Sequence, residues 1–238
     1  MENRYHARMN AFLFIITVLI WGSSFYAISL QLGEVPPMQS VFYRFAFAAL
    51  IMWLVLLIRK APVRFPVKLH LLFSGLGVLL FTINYVLTYV ATQYLVSGMV
   101  SVVFSLLMIF NMITFWLYFG DRPGVTLIAG GVLGFLGVVA LFIEDFWGTQ
   151  IDTDVMLGLS LALMATIVVS SATVIARIIQ LRNVDVLISN TWAMTYGSVF
   201  LLIACFVEGE TWQFSLQATY IWSLVFLSLA ATVIAFWS

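Results

Sequence analysis

Long apolar runs, separated by short polar or proline-containing breaks, recur along the whole chain. Eight of them match the roughly 20 residues that a helix needs to cross a hydrocarbon core of about 30 Å. They cover residues 11–31, 38–58, 69–91, 97–119, 124–143, 155–179, 186–207 and 218 onward, the last still apolar at Ser238. Pro36-Pro37 breaks the chain between the first two, since proline withholds a donor and suits a helix start. Residues 92–96, 120–123 and the Arg182-Asn183 step are equally short breaks, and links this short make successive spans antiparallel neighbours. The pattern predicts an all-α polytopic membrane protein with about eight transmembrane helices.

Composition agrees. Of 238 residues, 63% are hydrophobic and 8% charged, against roughly 25% charged in soluble domains. A formal net charge of zero provides no basic surface for nucleic acid. Cys205 is the single cysteine, so no internal disulfide forms. Arg4 and Arg8 before the first run resemble the start of a signal peptide, but that run is followed by seven more and is read as a retained span.

Charge also orients the chain, because lysine and arginine of short loops stay on the cytoplasmic side. With the N-terminus inside, Arg59, Lys60, Arg64, Lys68, Arg122, Arg177 and Arg182 all fall inside, together with Arg4 and Arg8. Glu34, Glu144, Asp145, Asp152, Asp154, Glu208 and Glu210 fall outside, where Trp147, Trp212 and Trp222 are placed as interfacial anchors.

The candidate chemistry lies in the polar groups within the spans, where they are costly. Span 1 carries Trp21 near its middle with Ser23 and Ser24; these serines either allow tight packing and bond to the preceding turn, or face a solute. Tyr85, Tyr89 and Gln93 are spaced to form one polar aromatic stripe on span 3, with Asn84 and Thr88 on an adjoining face. Ser97, Ser101 and Ser105 share a face of span 4, with Asn111 deeper, and the two buried amides require partners from a neighbouring helix or a cavity. Arg44 sits about 10 Å inside span 2 at 1.5 Å per residue. It either snorkels to Glu34 or meets an anionic group in a cavity. Gly130, Gly134 and Gly137 recur at helical spacing on span 5 and predict a packing strut.

Absent groups narrow the function. No Asp or Glu falls inside a span, which removes the membrane carboxylate that would bind a cationic drug or relay protons. His6 and His70 lie in separate segments, and no nucleophile–base pair, metal-ligand spacing or phosphate-binding glycine loop is present. No cofactor or metal is expected, and a membrane-embedded enzyme is the weaker alternative.

A faint internal repeat accompanies this pattern. Val169-Ser170-Ser171-Ala172-Thr173 in span 6 takes the place of Trp21-Gly22-Ser23-Ser24-Phe25 in span 1, five spans earlier. An odd number of spans per repeat inverts the second copy, an architecture that places a transporter's site between the halves near the midplane.

Trp21-Gly22-Ser23-Ser24-Phe25, Val35-Pro36-Pro37 followed by Tyr43-Arg44-Phe45, and Gly120-Asp121 closing span 4 together resemble the EamA-domain permeases of the drug/metabolite transporter superfamily. The resemblance implies ten helices in two inverted five-helix repeats, here 1–143 and an incomplete 155–238. It further implies a cavity lined mainly by spans 1, 3, 4, 6, 8 and 9, an inner or plasma membrane location, and export of small metabolites or drugs. Under it, Trp21, Tyr85 and Tyr89 enclose an amphipathic, amino-acid-like solute, Ser23, Ser24, Asn84, Asn111 and Ser171 hydrogen-bond it, and Arg44 attracts an anionic end. The partners implied are that solute and the lipid bilayer, with homo-oligomerisation left open. Two departures stand out. Met108-Ile109-Phe110-Asn111 replaces the family's usual Pro-Val-Phe-Thr, putting the kink there in question, and the chain ends without counterparts of spans 9 and 10. The second departure keeps open a truncated, non-transporting product or an assembly subunit.

Overall fold

The computed structural model describes residues 17–33, 35–147, 153–209 and 211–234, with the side chains of all but 141–147 and 233–234. The described segments are helices and short turns. They are α1 (Thr17–Ser29), α2 (Pro37–Ile58), α3 (Val67–Tyr94), α4 (Ser97–Phe119), α5 (Val125–Trp147), α6 (Thr153–Gln180), α7 (Val186–Glu208) and α8 (Ala218–Thr232, continuing as a π-helical stretch). Five of them, α2, α3, α4, α6 and α7, are long and apolar enough to cross a membrane; α1, α5 and α8 provide shorter apolar stretches of 10–17 residues. The protein is a polytopic helical membrane protein. Of the expected acidic loop, Glu144 and Asp145 fall within α5 and Asp154 within α6, while Asp152, the N-terminal arginines and Glu34 lie outside the described residues.

The helix starts follow from local chemistry. Pro36 and Pro37 open α2, and Asp185 caps α7 by accepting the Leu187 amide at 2.7 Å. Gly120 and Gly209 close α4 and α7 in the left-handed conformation, where a Cβ would be strained.

Lipid is as apolar as leucine, so helix association rests on close packing and buried polar contacts rather than on expelling water. The tightest crossing is between α3 and α7. A Cβ built on Gly77 would lie 2.4 Å from the Ala193 carbonyl oxygen, and one on Gly197 would lie 3.0 Å from the Gly77 oxygen. At this crossing α3 widens into a π-helical stretch, Gly77–Ile83, and α8 does the same at Leu229–Ile234.

Around the crossing, α2, α3, α6, α7 and α8 share one core that includes Phe45, Met52, Phe73, Ile179, Leu201 and Leu227. A second cluster, with Ala91, Val103, Val138 and Ala162, joins α3, α4, α5 and α6. The glycines of α5 do pack on α4, though in a different set from the one the spacing suggests. Gly130 and Gly131 meet Met108 and Ile109 at 3.1 and 3.0 Å, and Gly134 meets Ser105, while Gly137 faces open space. Gly137 lies on nearly the same face as Gly130 but about two turns further along the helix.

α4 also breaks without proline. At Ser105 and Leu106 the amides bond three residues back, to Val102 and Val103, both at 3.0 Å. This short tightened turn replaces the kink whose proline is missing, a few residues earlier in the helix.

Candidate solute site

A cavity of about 470 Å³ opens between α1, α3, α4, α6, α7 and α8. Its wall from α1 is Trp21, Ser24, Phe25 and Ile28; its wall from α6 is Val169, Ala172, Thr173 and Ala176. These positions correspond one for one in the register that aligns 21–25 with 169–173, extended by one further pair. The same face of each helix therefore fronts the cavity.

The other walls supply amides, hydroxyls and aromatic rings: Asn84, Tyr85 and Thr88 from α3, Phe104 and Asn111 from α4, Gln180 from the end of α6 and Asn190 from α7. Among the described residues no lining side chain is charged.

Internal hydrogen bonds fix several of these groups and leave others open. Thr173 Oγ1 lies 3.0 Å from Asn111 Oδ1, joining α6 to α4, and shares its single proton with the Ser170 carbonyl at 2.7 Å. The Asn111 carboxamide makes no other side-chain bond among the described residues. The Asn84 NH2 is satisfied by the Leu80 carbonyl at 3.2 Å, while its Oδ1 receives only a long contact from Thr88 at 3.5 Å. Asn190 is 5% exposed, and its carboxamide makes no hydrogen bond among the described residues. Because buried amides are costly when unpaired, the cavity presents donors and acceptors suited to a polar solute.

The residues singled out from sequence divide into two groups. Trp21, Ser24, Asn84, Tyr85 and Asn111 come together in the cavity wall. Ser23 and Ser171 turn away from it, each bonding one turn back along its own helix, to the Leu19 carbonyl at 2.7 Å and the Ile167 carbonyl at 3.1 Å. Tyr89 is fully buried behind the wall, donating to Gln31 Oε1 at 2.7 Å. Arg44 is 1% exposed and lies behind Tyr85, whose ring its guanidinium covers at 4.4 Å. Its suggested partner Glu34 is outside the described residues. On α3, Tyr85 faces the cavity, Tyr89 the interior and Gln93 the outer surface.

Thr173, Asn190 and Gln180 are the lining residues that sequence reading passed over. Thr173 was legible as the counterpart of Phe25. Asn190 stands in an apolar run with no motif around it, and Gln180 falls just past the expected end of span 6.

The sequence model of the EamA-like transporter family matches residues 8–143, more than half of the chain. The chain belongs to the EamA-like transporter family. Curated relatives bear similarly broad names. The uncharacterized transporter YoaV of Bacillus subtilis (strain 168) is 28% identical over 233 residues, covering 94% of this chain and 77% of that protein. The uncharacterized transporter YvbV of the same organism is 28% identical over 221 residues, covering 92% and 70%. A protein of known crystal structure has the same fold, with a TM-score of 0.70 at 18% identity over 95% of this chain and 76% of that one. This EamA-like protein is an integral membrane transporter, and family membership implies a small-molecule solute within a lipid bilayer.

Proposed function

We propose that this EamA-like transporter exports small neutral or zwitterionic amphipathic solutes, of amino-acid or similar size, through the 470 Å³ cavity by alternating access. All eight helices cross the membrane, with the N-terminus in the cytoplasm of an inner or plasma membrane. Residues 1–143 and 155–238 belong to two five-helix units related as an inverted repeat, the second represented by three helices.

The observation that carries this reading is the paired lining. Trp21, Ser24, Phe25 and Ile28 of α1 front the cavity at the positions matched by Val169, Ala172, Thr173 and Ala176 of α6. A site shared by equivalent faces of two repeats is what alternating access between inverted halves requires, since rocking one half against the other exposes the same wall to either side. The solute class follows from the chemistry of that wall. Trp21 and Tyr85 provide flat apolar surface, Asn84, Asn111 and Asn190 provide amides, and among the described lining residues no ionised group selects a strongly charged ligand.

Metabolite profiling of cells that overproduce the chain tests the proposal. The medium becomes enriched in one or a few such solutes, and Trp21→Ala or Asn84→Ala removes that enrichment at equal membrane abundance. Enrichment that survives both substitutions refutes the site assignment.

A further inference from the structure

Behind the cavity wall, two fully buried hydrogen-bond donors have no acceptor among the described residues. Arg44 is 1% exposed and Gln31 0%. A guanidinium carries five N–H donors, yet Arg44 makes only long contacts to neutral oxygens. Nε and Nη2 both reach Thr232 Oγ1 at 3.3 Å, and Nη2 reaches the Tyr85 hydroxyl at 3.5 Å. Nη1 has no hydrogen-bond acceptor among the described residues. Gln31 accepts the Tyr89 proton with its Oε1 and leaves its Nε2 equally unpaired. Tyr89 links the two, because its hydroxyl also lies within hydrogen-bonding and electrostatic reach of Arg44.

The remaining neighbours soften this charge without balancing it. The guanidinium faces the rings of Tyr85 at 4.4 Å and Phe45 at 5.1 Å, favourable cation–π contacts. The ion pair found among the described residues, Arg177 with Asp121, belongs to other helices. A buried cation is stable when paired and hydrogen-bonded, and a water molecule would satisfy the hydrogen bonds but not the charge.

We propose that the Gln31–Arg44–Tyr89 node binds a small monovalent anion, of carboxylate or chloride type, between α1, α2 and α3. The anion accepts from Arg44 Nη1 and Gln31 Nε2. Two sources share this chemistry: the carboxylate of a solute in the adjacent cavity, reached past Tyr85, and an inorganic chloride ion resident in the wall. Binding at this node is measurable without transport, so its outcome is separate from that of the exporter reading.

The test follows the melting temperature of the full chain purified in detergent, in sodium sulfate at fixed ionic strength, whose divalent anion is not of the proposed class. Sulfate is replaced stepwise by chloride or acetate, with neutral acetamide as a control. The expected result is a saturable rise of roughly 5–10 °C at concentrations far above Kd, absent with acetamide and absent in Arg44→Gln. A response to acetate alone assigns the site to a carboxylate, and an equal response to chloride assigns it to a halide-sized anion. No saturable difference between the salts overturns the proposal, including where a carboxylate of the chain itself, such as Glu34, already fills the node. A response retained in Arg44→Gln overturns it as well. If Arg44→Gln fails to fold, Gln31→Leu carries the test. Loss of one charge-assisted bond moves the midpoint about tenfold higher, and an unmoved midpoint contradicts the node.

Discussion

Thr82 and Thr232, roughly 150 residues apart, make the same unusual contact. Each hydroxyl donates to a carbonyl five residues earlier, Thr82 to Gly77 at 3.3 Å and Thr232 to Leu227 at 2.8 Å. Each lies within the π-helical stretch of its helix, Gly77–Ile83 in α3 and Leu229–Ile234 in α8. A widened turn leaves backbone carbonyls less well satisfied, and a threonine at this spacing supplies the donor. The two threonines differ in their second partner: Thr82 reaches the Gly197 carbonyl at 3.1 Å, whereas Thr232 accepts from Arg44. Thr232→Val therefore destabilises more than Thr82→Val, by about 1–3 kcal/mol against about 1 kcal/mol, because it strands a buried guanidinium. Thermal unfolding of the two purified variants checks the order.

Glycine tolerance separates the two kinds of helix contact. Gly77→Ala places a methyl against the Ala193 carbonyl, a backbone atom that cannot rotate away. It is expected to cost about 1–3 kcal/mol and to lower membrane abundance. Gly22→Ala meets nothing within 4 Å and keeps both stability and abundance. Comparing the two by thermal unfolding and by quantitative blotting of membranes reads the contrast directly.

At the α4–α6 boundary, Arg177 pairs with Asp121 and lies over the rings of Phe115 at 5.1 Å and Phe119 at 4.4 Å. The pair is partly exposed, so Asp121→Asn costs only about 0.2–1 kcal/mol and less in high salt. Arg177→Ala loses the ring contacts too and falls further. Melting curves in 0.1 M and 1 M salt are expected to show a salt-sensitive difference for Asp121→Asn and a largely salt-insensitive remainder for Arg177→Ala.

Orientation is tested with single cysteines in a Cys205→Ser background. With the N-terminus cytoplasmic, Lys60→Cys is shielded from an impermeant maleimide in intact cells, and Gln217→Cys is labelled. The reverse pattern contradicts the assigned topology.

The helices were legible because apolar runs of membrane-spanning length have little alternative use, and the breaks at Pro36-Pro37 and Gly120 are stated by the residues themselves. The site was legible by halves. Trp21, Ser24, Asn84, Tyr85 and Asn111 stood out as polar or aromatic groups within apolar runs, and all front the cavity. Ser23 and Ser171 stood out equally, but all three serines bond one turn back along their helices, Ser24 to the Trp21 carbonyl at 2.6 Å, and residue type does not reveal which of them faces the cavity. Asn190 and the Arg44 surroundings depend on which helices meet, and that information resides in the packing of α2, α7 and α8 rather than in any local pattern. The break in α4 at Ser105 was invisible for a related reason, since it uses i→i−3 bonding instead of a proline.

Counterflow in proteoliposomes tests the central claim most directly. Vesicles containing the purified chain are loaded with unlabelled amino acid and diluted into a trace of the same labelled compound, for each of the standard amino acids in turn. Transport through the cavity predicts transient, saturable uptake of at least one neutral member. Asn84→Ala and Asn111→Ala are expected to reduce it at least about tenfold, as when a buried polar contact to the solute is lost, at equal reconstitution. Folded, reconstituted protein that exchanges none of them, or exchange that both variants retain in full, contradicts the account.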